Sequence, residues 1–516
     1  MTNRPMVYFI GAGPGDPGLL TLRGARCLGR AEVVVYDGLV HTALLRHAPA
    51  GAERIDVGRA APQGTARDAI AYLLVEKVRE GKRVARLKWG DPFVFDDGGE
   101  EALFLHEHGV PFEVVPGVPA AIGTPPYAGV AVTYRGAGDT LTLVRGHEDA
   151  SGKLPKIDWT SLARLGGTIV CYAGPTQLPA VLSALRDHGR PADEPVALVY
   201  NGTLVTQRTI VGTLGSLAGA TLPAETRPAI VVVGRVAALR EHLRWFDVRP
   251  LFGRRVVVTR PREQARELVE LLEDQGAEVI LAPTVRLAPA DDYTDLDAAC
   301  ADISAFDWVV LPTLAGAEVF LQRMMAGPAD LRSLKGVGLC AVGQSSVQRF
   351  ADVGLRVDVA RGELRPDATI ESLSAGRGLQ NRRVLLLQAQ GARDILAAEL
   401  RRAGAEVVEI GAYKTVRILP GDPGEPDLYK MLLDRQVDVV TFVSPSTVRE
   451  FVDIHGADAV ADVLRTTLVA CVGPVTAQAA VSLGLMPAIV PDEYSMSGMV
   501  AAIVRRLRRP EPQGGA

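Results

Sequence analysis

Short apolar runs alternate with longer stretches of helical spacing along the first half of the chain. The runs rich in β-branched residues are MVYFI (6–10), AEVVVYD (31–37), KRVARL (82–87), TLTLV (140–144), GTIVCY (167–172), PVALVY (195–200) and PAIVVVG (228–234). Apolar positions recur at helical spacing in 18–31 and 65–81, and Gly81 is typical of a helix end. Buried strands that alternate with helices predict an α/β protein.

Two breaks divide this pattern. The segment 115–132 is rich in Pro and Gly and predicts a connector between two α/β lobes. A second boundary is expected near 247, after the strand 228–234 and a short helix. The first region is therefore predicted to be 1–247, with lobes of about 1–115 and 120–247.

The rest of the chain contains an internal repeat at a nearly constant offset. RRVVVTR (254–260) matches RRVLLLQ (382–388), and QGAEV (275–279) matches AGAEV (403–407). FDWVVLPTLAGAEVF (306–320) matches VDVVTFVSPSTVREF (437–451), and CAVGQSSVQRFADVGL (340–355) matches ACVGPVTAQAAVSLGL (470–485). Four matches in one order indicate a duplicated α/β unit and predict two similar lobes.

Composition narrows the class of protein. A chain of 516 residues exceeds the usual size of a single core, and 47% hydrophobic residues exclude global disorder. A net charge of −4 provides no basic field for nucleic acid. The five cysteines form no C-x-x-C pair, so we expect neither disulfides nor a metal site. No apolar leader or membrane-length run is present, and a cytoplasmic location is expected.

A glycine-rich loop follows the first predicted strand. Gly11, Gly13 and Gly15 are predicted to let the backbone approach a ligand closely. Asp16 and Pro17 stand where a dinucleotide-binding loop needs its third glycine, which argues against NAD.

Further motifs follow this loop: VVVYDGLV (33–40), LKWGDPFVFDDGGEE (87–101), VPFEVVPGVPAA (110–121) and VYNGTLVTQRTIVGTL (199–214). With them, residues 6–246 resemble the uroporphyrinogen-III C-methyltransferases of the tetrapyrrole methylase family, which make precorrin-2 from uroporphyrinogen III and S-adenosylmethionine. The resemblance implies the two-lobed methylase fold, S-adenosylmethionine as cofactor and a homodimer formed through this half.

The resemblance also implies site residues. Cofactor contacts are expected from Pro14, Gly90, Asp91, Val94, Pro119, Ala120, Ala173 and Gly202. Because methylation leaves a proton to be lost, Asp37 is the implied base. Its alternative role is that of an aspartate in a turn or a helix cap. Arg59 is the second implied catalytic residue.

Five positions depart from the family pattern. Arg59 stands in place of Lys, Trp89 in place of Gly and Ala173 in place of Met, while Asp96 and Asp97 replace Gly and Arg. They leave two alternatives open. One is an active second half joined to a weak or altered-substrate methyltransferase, and the other is a non-catalytic tetrapyrrole-binding scaffold.

The second half carries VVVTRP (256–261), GAYKT (411–415), SPSTV (444–448) and VGPVTAQAA (472–480). With these motifs it resembles uroporphyrinogen-III synthase, which closes hydroxymethylbilane to uroporphyrinogen III. The resemblance implies duplicated flavodoxin-like units over 253–510, with lobe one at about 253–287 plus 416–506 and lobe two at about 288–415. Since the product of a synthase is the substrate of the methylase, a bifunctional enzyme is predicted.

Binding of a polycarboxylate substrate calls for cations and helix N-termini. Arg260 is the predicted cation, and Ser345, Ser444, Ser446 and Thr476 are predicted to stand at helix N-termini. Helix capping is their alternative role. Tyr413 matches the tyrosine that assists hydroxyl departure in the family, and its alternative is a packing role.

Overall fold

The computed structural model describes residues 4–49, 51–60, 67–146, 154–223, 225, 227–361, 366–376, 378–392, 395–422 and 425–508. The chain forms two compact units. One consists mainly of Met1–Arg254, and the other mainly of Arg255–Leu271 and Val279–Arg506. Among the described residues, no helix combines the length and the apolar composition that a bilayer crossing requires.

The first unit begins with a parallel sheet. Its strands are β1 Met6–Gly11, β2 Val33–Tyr36, β3 Glu53–Asp56, β4 Arg83–Lys88 and β5 Phe112–Val115, in the order β3-β2-β4-β1-β5. The helices are α1 Leu22–Leu28, α2 Val57–Ala60, α3 Arg67–Arg79 and α4 Gly98–Glu107. The expected end of α3 is confirmed, because Gly81 follows it with a φ of 84°.

The segment between the two sheets is not a plain connector. It contains a helix, α5 Ala120–Tyr127, in which Pro125 and Pro126 lie inside the helical span. The segment joins the two sheets, as predicted, but the sequence did not indicate a helix in it, because two prolines, which supply no backbone N–H, argue against a helix interior. The helix still buries Ala120, Ala121 and Thr124.

A mixed sheet completes the first unit. Its strands are β6 Leu141–Arg145, β7 Thr168–Ala173, β8 Pro195–Tyr200, β9 Arg208–Thr213 and β10 Ala229–Val233, in the order β6-β7-β10-β8-β9. Strands β6 and β7 are parallel, and the other pairs are antiparallel. Its helices are α6 Trp159–Arg164, α7 Leu178–Asp187, α8 Leu214–Ala218 and α9 Arg240–Leu243.

The second unit contains eleven strands and eleven α-helices among its described residues. The strands are β11 Arg255–Val258, β12 Glu278–Leu281, β13 Val285–Pro289, β14 Trp308–Leu311, β15 Gly338–Val342, β16 Val359–Arg361, β17 Arg383–Ala389, β18 Glu406–Arg417, β19 Val439–Phe442, β20 Leu468–Cys471 and β21 Pro487–Ile489. The helices are α10 Arg262–Asp274, α11 Thr294–Ala301, α12 Leu314–Ala326, α13 Gln344–Ala351, α14 Pro366–Gly376, α15 Ile395–Arg402, α16 Leu428–Leu433, α17 Pro445–His455, α18 Ala457–Val463, α19 Pro474–Ser482 and α20 Met496–Leu507.

These strands form two sheets that reflect the sequence repeat. One has the order β12-β11-β19-β20-β21, and the other has the order β13-β18-β17-β14-β15-β16. The repeated sequences pair the strands of the two sheets: β11 with β17, β12 with β18, β19 with β14, and β20 with β15. The first sheet has the flavodoxin-like strand order 2-1-3-4-5. The second sheet has the same order when its strands are numbered by their sequence matches in the first, and it adds β13 at one edge. The α/β class and the duplication are confirmed.

Candidate active sites

Three backbone segments meet at the carboxyl ends of β1, β4 and β5. The Gly13 N–H donates to the Gly90 carbonyl at 3.1 Å, and the Gly90 N–H donates to the Gly13 carbonyl at 2.9 Å. A Cβ atom on Gly11 would lie 2.4 Å from the Cα atom of Gly117. At Gly11, the close approach that the sequence assigned to a ligand is therefore made by protein backbone.

Asp91 fixes this meeting point. Its Oδ2 accepts a hydrogen bond from the Gly117 N–H at 3.0 Å, and its Oδ1 accepts one from the Phe93 N–H at 2.9 Å. The Val94 N–H donates to the Asp91 carbonyl at 3.3 Å. Asp91 and Val94 thus belong to one hydrogen-bonded loop that is joined to the turn before α5.

The start of α5 adjoins β7. Pro119 precedes the helix, Ala120 is its first residue, and the Ala121 N–H donates to the Tyr172 hydroxyl at 3.0 Å. Ala120 and Ala173 are fully buried in this conformation. Contacts of these two residues with a cofactor stay predictions.

A small cleft opens beside these loops. It is lined by Pro14, Leu39, Trp89, Thr124, Val199, Asn201, Gly202, Leu204, Arg227, Pro228 and Ile230. Two of the predicted cofactor residues, Pro14 and Gly202, line it directly. A Cβ atom on Gly202 would lie 2.2 Å from the Cγ2 of Thr124, which explains the glycine. The sequence analysis missed Thr124, which lies in the unpredicted helix α5, and Arg227, which directly precedes the predicted strand 228–234.

Trp89 forms part of the cleft wall. Its indole Nε1–H donates to the Pro14 carbonyl at 2.7 Å, and its ring packs edge-on against the Tyr172 ring with centroids 6.2 Å apart. These contacts hold the ring in one position, where it presents an aromatic surface to the cleft.

Asp37 lies in a cluster of five charged groups at the same end of the sheet. The Arg86 guanidinium contacts Oδ1 of Asp37 at 2.7 Å and both carboxylate oxygens of Glu101 at 2.9 and 3.0 Å. The Lys88 ammonium lies 2.8 Å from Oδ1 of Asp96, 3.0 Å from Oε1 of Glu101 and 3.8 Å from Oδ2 of Asp37. Two cations thus face three carboxylates.

Burial strengthens these interactions. Arg86 and Lys88 are 1% and 2% exposed and Glu101 is 5% exposed. Burial acts to lower the pKa values of both cations, but the attraction of the surrounding carboxylates outweighs it and raises them. Burial raises the pKa of Asp96, although Lys88 opposes the shift. Arg59 lies in α2, but its side chain is outside the described part of the chain.

The second unit presents predicted residues at one edge of the β11 sheet. Strands β11, β19 and β20 are parallel neighbours, so the residues that follow them lie at the same edge. Arg260 follows β11, and its guanidinium contacts Oε1 of Gln264 at 3.5 Å and Sδ of Met496 at 3.9 Å. Neither partner is a carboxylate, and burial lowers the pKa of Arg260. The cation is therefore suited to bind a substrate carboxylate.

The hydroxyl groups at this edge differ in their roles. The Ser444 Oγ accepts from the Thr447 N–H at 3.3 Å and caps α17, as the capping alternative predicts. The exposed Ser446 exchanges a hydrogen bond of 2.9 Å with Ser444. Thr476 is buried in the first turn of α19. Arg260, Ser444 and Thr476 share an edge, but no hydrogen bond joins these three residues in the described structure.

Tyr413 lies in β18 of the other sheet, and Ser345 lies in α13, which follows β15 of that sheet. The Tyr413 hydroxyl donates to Oγ1 of Thr313 at 3.1 Å, and burial raises the pKa of this phenol. Thr313 caps α12, while Ser345 is exposed in the first turn of α13 and Ser346 is buried. The sequence repeat could have identified Thr313, because it matches Ser444 in the offset alignment, as Ser346 matches Thr476.

Comparison with known families agrees with the division into two halves. Residues 6–218 match the family described as Tetrapyrrole (Corrin/Porphyrin) Methylases. Residues 266–501 match the family described as Uroporphyrinogen-III synthase HemD.

Individual proteins are similar to the whole chain or to its first half. A porphyrin biosynthesis protein HemD of Ruminiclostridium josui is 35% identical over 497 residues, which cover 96% of this chain and 96% of that protein. An S-adenosyl-L-methionine-dependent uroporphyrinogen III methyltransferase of Methanosarcina barkeri is 46% identical over 243 residues, 47% of this chain and 95% of that protein. A crystal structure of the uroporphyrin-III C-methyl transferase of Thermus thermophilus with S-adenyl homocysteine is 36% identical, covers 45% of this chain and 92% of that one, and has a TM-score of 0.39.

Proposed function

The chain belongs to the family of porphyrin biosynthesis proteins that join a tetrapyrrole methylase to a uroporphyrinogen-III synthase, and we propose that its two halves catalyse consecutive reactions. The second half cyclises hydroxymethylbilane to uroporphyrinogen III. The first half methylates this product twice with S-adenosylmethionine to give precorrin-2. The observation that carries the proposal is the similarity to a porphyrin biosynthesis protein along nearly the whole chain.

The cleft of the first unit has the chemistry that S-adenosylmethionine requires. The Trp89 ring and the side chains of Leu204 and Ile230 provide an apolar wall for an adenine, and Arg227 provides a cation for the carboxylate of the methionine part. When bound, the cofactor supplies a methyl group on a positively charged sulfur. The loops around Gly90 hold the reactants in line and exclude water.

Asp37 is the proposed proton acceptor. Its Oδ1 is held by Arg86 at 2.7 Å, whereas Lys88 is 3.8 Å from Oδ2, beyond hydrogen-bond distance. Oδ2 is therefore available to a proton from the methylated ring, while the bond to Arg86 fixes the orientation of the carboxylate. Asp37 is 27% exposed, so a substrate can reach it.

In the second unit, binding of the bilane is proposed to dominate catalysis. Arg260 and the helix N-termini near Ser446 and Thr476 hold substrate carboxylates, which brings the ends of the bilane into one geometry. Tyr413 is the proposed acid that donates a hydrogen bond to the departing hydroxyl, and Ser345 is a further proposed contact. The homodimer and the cytoplasmic location expected from the sequence belong to this proposal.

The methyltransferase proposal is tested with uroporphyrinogen III, S-adenosylmethionine and the full chain. We expect two methyl groups per product and a fall of about 10²-fold or more in Asp37→Asn, because the amide keeps the size of the carboxylate but is not a base. Calorimetric titration should show unchanged affinity for S-adenosylmethionine in this variant. Near-normal turnover of Asp37→Asn would reject the assignment of the base. A wild-type chain that binds the cofactor without methylating this substrate would favour an altered substrate, and one that does not bind it would favour the scaffold.

A further inference from the structure

Two carboxylates compete for one ammonium beside the proposed proton acceptor. The Lys88 Nζ lies 2.8 Å from Asp96 and 3.0 Å from Glu101, and both distances allow hydrogen bonds. The same Nζ lies 3.8 Å from Oδ2 of Asp37. Asp96 is 20% exposed and lies in the loop between β4 and α4. Asp96 and Glu101 together draw the ammonium away from Asp37.

We propose that Asp96 is a positioning residue for methyl transfer, which holds Lys88 and thereby keeps Oδ2 of Asp37 free to accept the substrate proton. The inference rests on the proposed function, because it takes Asp37 as the proton acceptor. It also gives a role to one of the departures from the family pattern, since Asp96 stands where a glycine is usual.

The chemistry requires a free oxygen at this point. When the substrate carbon gains a methyl group through its own electron pair, the ring becomes cationic. Loss of a proton from the ring to Oδ2 leaves the bonding electrons in the ring and restores its neutrality. An ammonium hydrogen bond to Oδ2 would occupy the lone pair that has to receive this proton, and it would weaken the base.

The other groups around Asp37 do not replace Asp96 in this role. Arg86 is engaged with Oδ1 of Asp37 and with Glu101. On the neighbouring strand β3, the Asp56 carboxylate accepts a hydrogen bond from the Gly58 N–H. Tyr172 lies close enough to Asp96 for the carboxylate to contribute to the raised pKa of its phenol. The phenol itself is neutral and cannot replace the carboxylate of Asp96. Without Asp96, Lys88 would keep Glu101 as a partner and could move toward Asp37.

The test is a pH profile of methyl transfer by the full chain carrying Asp96→Asn. If Lys88 moves 1 Å closer to Asp37 at an effective dielectric constant of about 20, the added attraction changes the proton affinity of Asp37 about tenfold. We expect kcat to fall about tenfold and the acid-side midpoint of the profile to move about one unit lower, because the ammonium favours the carboxylate over the acid. Affinity for S-adenosylmethionine should be unchanged, since Asp96 does not line the cleft.

Three further variants make the result specific. Asp97→Asn is the matched control: it removes the charge of the adjacent residue and leaves the Asp96 side chain in place, so its profile should equal that of the wild type. Asp96→Glu keeps the charge and should recover most of the rate. In Asp96→Asn combined with Lys88→Met, the competing ammonium is absent, so kcat should rise above that of the single variant.

The inference is overturned if Asp96→Asn leaves kcat and the midpoint unchanged, or if Asp97→Asn shows the same changes. If Asp96→Asn fails to bind S-adenosylmethionine, kcat and the acid-side midpoint are measured in Asp96→Gly instead, and the same outcomes support or overturn the inference. Failure of the underlying function is distinguishable, because near-normal turnover of Asp37→Asn rejects Asp37 as the acceptor whatever the behaviour of Asp96.

Discussion

Replacement of Glu101 by Gln should destabilise the first unit far more than replacement of its neighbour. Glu101 is 5% exposed and contacts Arg86 at 2.9 and 3.0 Å and Lys88 at 3.0 Å, whereas Glu100 on the same helix is exposed. The Gln side chain keeps the volume and one acceptor oxygen but removes the charge. Two buried cations are then left with two partly exposed carboxylates.

The magnitude follows from these distances. One ion pair at 3 Å contributes about 5 kcal/mol at an effective dielectric constant of about 20, and desolvation offsets much of it. Removal of one partner of a buried pair typically costs about 3–5 kcal/mol. Because Gln retains part of the hydrogen bonding, we expect a loss of about 3 kcal/mol in the free energy of unfolding of the first unit.

The loss should depend on pH. Burial acts to raise the pKa of Glu101, but the pairing with Arg86 and Lys88 outweighs it and lowers the pKa. A carboxyl group with a lowered pKa in the folded state contributes stability above its unfolded pKa of about 4.3 and loses it as the pH falls through the folded value. The difference between wild type and Glu101→Gln should therefore be full at pH 7 and shrink below about pH 4.

Urea-dependent hydrogen exchange, read by mass spectrometry on the full chain, measures this loss locally. Peptides from β4 and α4 should report the loss, while peptides from β11 and β19 serve as an internal reference and should not change. Glu100→Gln is the matched control. A loss below about 1 kcal/mol in Glu101→Gln, equal to that of Glu100→Gln, would refute the reasoning because it is the size of a surface effect.

Three functional predictions accompany this one. Trp89→Gly should weaken S-adenosylmethionine binding by about 1–3 kcal/mol in calorimetric titration, because the cleft loses its aromatic wall; unchanged affinity would remove Trp89 from the site. Arg260→Met should raise the KM for hydroxymethylbilane about tenfold or more, with a smaller effect on kcat, since a charged hydrogen bond is worth about 1.5–3 kcal/mol; an unchanged KM would argue against substrate contact. Tyr413→Phe should slow the synthase but still release mostly the type III isomer, whereas Ser446→Ala with Thr476→Val should release more type I. Chromatography of the oxidised products gives this ratio, and mostly type I from Tyr413→Phe would contradict the account.

Much of the fold was predictable because its signals are local. The seven apolar runs of the first half contain the strands of the first unit except β3, β5 and β9, and the four sequence matches of the second half locate corresponding strands of two sheets. Strand β9 was not predicted, because half of its residues are exposed at a sheet edge and it forms no continuous apolar run. Helix α5 was not predicted, because its two prolines disfavour a helix and the burial that offsets their cost is a tertiary effect.

The candidate sites were less predictable because they depend on tertiary contacts. No sequence spacing shows that Glu101 and Asp96 share Lys88, or that the Trp89 indole is held by Pro14. The family resemblance identified Asp37 as the implied base but did not identify Arg86 and Lys88, which contact or adjoin it. The division of the second unit at 287 and 415 stays a prediction, although β13, which begins at Val285, already pairs with β18.

The most direct test of the central claim is a single reaction that begins with hydroxymethylbilane. The full chain is mixed with hydroxymethylbilane and S-adenosylmethionine labelled with ¹³C in its methyl group, and the product is examined by mass spectrometry and NMR. The account predicts a type III macrocycle that carries two labelled methyl groups, as in precorrin-2. Accumulation of unmethylated uroporphyrinogen III, or of type I products at the rate seen without protein, would contradict it.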